Sequence, residues 1–275
     1  MVGSVRRRNG SWAFRVDLGT DPQTGRRGFT PPSMRNSQPA HPPPGSVALM
    51  SDIDHAAVYR SVRVRVADLV CALPGEMLDV VAPATPEWRV RDVLAHLAGG
   101  TADVASGNLA DVASDEWTGA QVDARRNVPI GEVLEEWARC SAIVEPMIAK
   151  FDPLMRAMLL TDAVTHEHDV RGALGVPGER DSDAIAYAFR GVSGGIGAQR
   201  GQGGALRILH DAGVSVVGAG EPTATVRTTR FEIVRAGVGR RSYDQIAAWE
   251  WEGDSRPESV VLTRFAPPRV TPLNE

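Results

Sequence analysis

The chain has 275 residues, 43% hydrophobic and 23% charged, which suits one or two globular domains with a proper core. Net charge is −4 and the pI about 5.9, which excludes the strongly basic balance of a general nucleic-acid binder. No run approaches the roughly eighteen apolar residues of a membrane span and no charged-then-apolar leader opens the chain, so a cytoplasmic location is expected.

Residues 1–50 differ from the rest. They hold seven arginines against two aspartates, and seven of the nineteen prolines. SWAFRVDLG alternates, with Trp12, Phe14, Val16 and Leu18 on one face; GTDPQTG then reads as a turn into a second short run, which predicts a β-hairpin. Residues 3–27 resemble the arm-binding segment that opens phage-type tyrosine recombinases, a small sheet that touches DNA. The resemblance stops after about 25 residues, where PPSMRNSQPAHPPPG reads as a proline-rich linker. A lone hairpin is marginal in water. The segment therefore reads as a basic extension or fused remnant, with nucleic acid not expected as a partner, and Met50 would make a natural start before Ser51 and Asp52.

Four helical patterns follow. Apolar residues recur at helical spacing from Asp52 to Leu73 and stop at Pro74-Gly75. WRVRDVLAHLAGG reads as a short helix closing on its two glycines, and the next thirty residues read as a polar stretch. A third helix is predicted over 131–151, kinked at Pro146, and a fourth over 153–174, closed by Gly175 and Pro177. Cys71 and Cys140 fall within apolar helical patterns, where two buried free thiols are expected in place of a disulfide.

The fourth helix contains THEHDV, residues 165–170. On a helix, Asp162 lies about −40° and Asp169 about −60° from His166, while His168 lies about 200° away. Asp162 and His166 thus share an otherwise apolar face, and His168 reads as a solvated or polar-edge group. Asp92 and His96 repeat the four-residue spacing on the second helix. Spacing alone leaves two readings open: a metal site built from facing helices, or ordinary i,i+4 contacts.

Within residues 181–275, SGGIGAQRGQGG (193–204) reads as a flexible loop that carries neither a P-loop nor a dinucleotide fingerprint. ALRILH and GVSVVGAG are β-patterned. TATVRTTRFEIVRAGVGR reads as a strand leading into a helix, followed by YDQIAAWEW. Arg240 and Arg241, near a helix end, are candidate anion-binding catalytic residues gripping a carboxylate, or else a helix cap or salt bridge.

TPEWRVRDVLAHLAGG, DAVTHEHDVRGALGVPG and FEIVRAGVGRRSYDQIAAWEWEGD, in this order, resemble the mycothiol-dependent maleylpyruvate isomerase family of actinobacterial proteins. The resemblance spans about 53–270. It implies a mainly α fold with a small α/β part: a DinB-like metal-binding four-helix bundle over 51–180, followed by a small α/β C-terminal domain over 181–275. It further implies a divalent metal, usually zinc, held by a histidine on the second helix and an acidic-x-x-x-His pair on a later one. In this sequence these positions are His96, Asp162 and His166; the founding enzyme has Glu where Asp162 stands. Asp92 or Asp169 would orient a ligand imidazole from behind, or else each serves as a helix cap or surface charge. The activity implied is a metal-dependent isomerase or thiol S-transferase, with mycothiol as thiol cosubstrate and a small electrophile as partner. A non-catalytic metal-binding or regulatory protein of the same fold is the alternative.

Overall fold

Asp54 starts the first helix, α1 (His55–Cys71), by accepting a hydrogen bond from the Ala57 backbone N–H, one of the donors a helix start leaves unpaired. This computed structural model describes residues 4–8, 11–15, 53–254, 257–262 and 267–275. Val58, Val62, Val66 and Val70 put the apolar stripe of α1 into the core. After a 3-10 turn at Gly75–Asp79 comes α2 (Val90–Ser106), whose N-cap backbone donates to the Asp92 carboxylate at 2.9 Å. The helix runs through Gly99-Gly100, the expected stop, and ends at Gly107 in the left-handed conformation.

The expected polar stretch contains a helix, α3 (Asp115–Arg125), capped by the Ser114 hydroxyl and packed on α2. Its approach explains why α2 carries Gly99. A Cβ there would lie 2.5 Å from the Gln121 Cβ. The next helix, α4 (Ile130–Ile148), continues through Pro146, and α5 (Pro153–Leu174) matches its expected limits, with Pro153 at its first position and Gly175 as left-handed cap. Helices α1, α2, α4 and α5 pack around one core. Within it Trp137 donates its indole N–H to the Tyr59 hydroxyl, 3.0 Å away.

Most of the expected glycine-rich loop is helical. The helix α6 (Asp183–Arg200) begins at a Ser182 cap and passes through Ser193–Arg200. One of its glycines is there for contact: a Cβ on Gly197 would sit 2.8 Å from the backbone nitrogen of Gly218.

In the N-terminal segment, β1 (Ser4–Arg8) pairs antiparallel with β2 (Ser11–Arg15). The partner of the WAF run is therefore upstream. The expected second run and the proline-rich linker lie outside the described residues.

The remaining strands, β3 (Ala205–His210), β4 (Gly213–Val217), β5 (Pro222–Arg227) and β6 (Glu250–Gly253), form one sheet in the order β4-β3-β5-β6. Only β3 and β5 are parallel. Leu206, Ile208, Ala224 and Val226 fill its inner face, against α6, while Arg207 points out. Between β5 and β6 lie α7 (Arg230–Gly237), which packs on α6, and α8 (Tyr243–Ala247). The fold is thus mainly α with a small four-stranded sheet, as expected. Cys71 and Cys140 are free, but Cys71 is exposed and Cys140 half-buried, since the apolar stripes turn other residues inward.

Candidate metal centre

Three side chains from two helices converge at the bundle core. His96 on α2 and His166 on α5 are each 6% exposed, and both aim Nε2 at Asp162, one turn before His166 on α5. His96 Nε2 is 3.3 Å from Asp162 Oδ2 and 3.5 Å from Oδ1; His166 Nε2 is 3.5 Å from Oδ1. One ligand atom from each residue lies within 4.8 Å of the other two. The spacing suits a shared ion: tetrahedral bonds of about 2.0–2.1 Å separate neighbouring donor atoms by roughly 3.3 Å. The Asp162 carboxylate is ringed by protein yet 47% exposed, so solvent reaches the one anionic member. The donor set, two imidazoles and one carboxylate, suits zinc or a similar borderline cation and leaves room for a further ligand.

Electrostatics bind the three together. Burial alone would raise the Asp162 pKa, but the two imidazoles outweigh it and hold the carboxyl far below its usual range. Burial likewise disfavours the charged form of His166. The Asp162 carboxylate, helped by Asp169, prevails and raises its pKa to about 9.

Each imidazole is backed at Nδ1, differently in the two cases. His166 Nδ1 lies 3.0 Å from Asp169 Oδ2, close but poorly aligned for a hydrogen bond. Asp169 is fully buried and takes Arg235 Nη2 at 2.7 Å and Arg240 Nη2 at 2.9 Å. Burial would raise its pKa, but Arg240 and Arg235 hold it well below the usual range. His96 Nδ1 faces Gln121 Oε1 at 2.8 Å. Asp92, the other residue expected behind a ligand, instead caps α2.

Arg241 pairs with Glu232 and Glu275, and Arg240 with Asp169, so both arginines engage internal carboxylates. His168 departs from expectation. It is 3% exposed, because α7 covers the side of α5 that faces away from the bundle, and its ring meets Phe231 edge-on at 4.8 Å. Burial, reinforced by Arg235 and Arg171, lowers its pKa to about 3. Glu167 is also fully buried, held by both arms of Arg65 at 2.6 and 2.8 Å.

Sequence reasoning missed Gln121, Trp88 and Arg235. Trp88 packs its indole against both imidazoles of the cluster, with ring centroids 5.2 Å from His96 and 5.8 Å from His166. Arg235 donates to the Thr165 carbonyl and to Asp169 from α7. A charged residue inside the apolar run FEIVRAGV was its signal, and Ser114-Asp115-Glu116 was the start signal of the helix carrying Gln121.

No family model matches the chain, and no curated protein sequence matches it. Two solved structures are similar in fold. A histidine-to-alanine mutant of the mycothiol-dependent maleylpyruvate isomerase superposes with a TM-score of 0.52 at 12% identity, over 74% of this chain and 94% of that one. The enzyme without that mutation gives 0.49 at 12%, over 68% and 88%. The shared property is the fold.

Proposed function

We propose that the protein is a divalent-metal-binding, mycothiol-dependent enzyme, a maleylpyruvate-type isomerase or thiol S-transferase, with His96, Asp162 and His166 as ligands. The convergence of both Nε2 atoms on Asp162 at 3.3–3.5 Å carries this reading. The fold likeness to an isomerase that uses mycothiol supports it. What zinc or a similar ion would supply is Lewis acidity, lowering the pKa of a bound thiol or water. The chain's own part is to hold two imidazoles and one carboxylate in place, with Trp88 walling one side and Asp162 left open to ligands. Free cysteines and the absence, among the described residues, of a helix able to cross a membrane accord with the cytoplasmic setting included in the proposal.

One observation favours the non-catalytic alternative: Arg240 and Arg241 are taken by internal carboxylates and leave no evident grip for a substrate anion. Metal analysis of purified protein, then thiol consumption with maleylpyruvate and epoxides, separates the two. The enzyme reading expects one divalent ion per chain, its loss in His96→Ala, and thiol-dependent turnover. Stoichiometric metal without turnover of any electrophile favours the alternative, and protein without divalent metal rejects both.

A further inference from the structure

We infer that Gln121 is a positioning residue that locks His96 in the one tautomer able to present a lone pair to the site. The inference rests on the metal reading above and deepens it. Gln121 sits on α3, outside the four helices of the bundle, yet is only 3% exposed. Its amide makes two short contacts: Oε1 to His96 Nδ1 at 2.8 Å, and Nε2 to Asp103 Oδ2 at 2.7 Å.

The direction of this chain follows from chemistry. An ionised carboxylate only accepts hydrogen bonds, so the NH2 end of Gln121 must face Asp103. The carbonyl end then faces His96 and also only accepts. His96 Nδ1 must therefore carry a proton, and in the neutral ring that leaves Nε2 bare and aimed at Asp162. Asp103 is itself fixed from its other oxygen, which accepts from Asn108 Nδ2 at 2.8 Å. Gly99 gives the amide access: a Cβ there would lie 2.5 Å from the Gln121 Cβ and 2.7 Å from Arg125 Nη1. Arg125, at the end of α3, ties that helix to α4 through Glu136, at 2.7 Å on both arms, and also donates to the Gln121 carbonyl one turn back at 3.0 Å. The two ligand histidines thus differ, one backed by a neutral amide and the other by a carboxylate.

Titration of the metal-free full chain with Co2+, followed by its visible d–d absorption, tests this. Gln121→Leu keeps the bulk but removes the acceptor, and it should weaken Co2+ binding by about 10- to 100-fold and change the spectrum. Gln121→Glu combined with Asp103→Asn keeps an acceptor facing His96 and supplies a donor from position 103, and should restore affinity to within about threefold of wild type, which a packing role alone would not produce. Asp103→Asn alters a half-exposed residue with little risk to folding. It lets the amide flip and should weaken binding several-fold. Wild-type affinity and spectrum in both Gln121→Leu and Asp103→Asn overturn the inference alone. If Gln121→Leu does not fold, unchanged binding in Asp103→Asn decides against it. A wild type that takes up no Co2+ overturns the metal reading beneath it.

Discussion

His166 and His168 sit two residues apart on α5 and carry opposite electrostatics. Asp162 raises the first to about 9, while burial lowers the second to about 3. A raised histidine gives stability that is present below its unfolded pKa of about 6.5 and fades as pH climbs toward 9. A lowered one does the reverse. The neutral ring of His168 belongs to the folded state, so its contribution is complete above pH 6.5 and is lost as pH falls toward 3, at about 1.4 kcal/mol per unit. Between pH 7 and 5, urea unfolding of wild type should therefore lose about 2 kcal/mol more than unfolding of His168→Leu. Parallel profiles for the two proteins would show that His168 does not titrate in this way.

At the scale of elements, the glycines of α6 separate into two kinds. Gly197 abuts the Gly218 backbone at 2.8 Å from its missing Cβ, whereas a Cβ on Gly194 meets nothing within 4 Å. Gly197→Ala should push α6 off β4 and cost about 1–3 kcal/mol, while Gly194→Ala should gain up to about 1 kcal/mol from helix propensity. Thermal unfolding of the pair checks the contrast, and equal effects would refute it. The same glycines explain why α6 was legible only in part. Composition registers a breaker, but the reason for the glycine is a neighbour distant in sequence. Gly99-Gly100 hid the length of α2 for the same reason. By contrast α5, with Asp152-Pro153 before it and Gly175 after it, was legible to the residue, because caps and stops are local. Helical phasing likewise separated His166 from His168 and placed Asp162 beside the former. It could not tell that α7 would bury the opposite side of α5, nor that α3 would bring Gln121 to His96.

Across the whole molecule, the bundle does not end at its own surface. Thr165 and Asp169 on α5 are bonded by Arg235, and Asp169 also by Arg240, from the C-terminal part. One hydrophobic cluster runs from α1 through α5 and α6 to the sheet. A fragment of residues 51–180 would leave the buried carboxylate of Asp169 without either guanidinium, a loss that costs about 3–5 kcal/mol in a buried pair. It should unfold without a cooperative transition. Removing residues 1–49 should leave unfolding and metal content unchanged. Circular dichroism melting of both pieces tests this, and a cooperative 51–180 fragment would show the two parts to be independent.

Residues 165–169 each have a fixed neighbour: Thr165 has Arg235, His166 Asp162, Glu167 Arg65, His168 Phe231, and Asp169 Arg240 together with the same Arg235. Inserting or deleting one residue upstream in α5 would turn all five by about 100° together. The helix therefore works as an indexed shaft and can be altered only where its partners on α1, α2 and α7 change in step. Loops away from it are free to vary in length. Relatives of this chain could thus diversify at the mouth of the site while the shaft stays fixed.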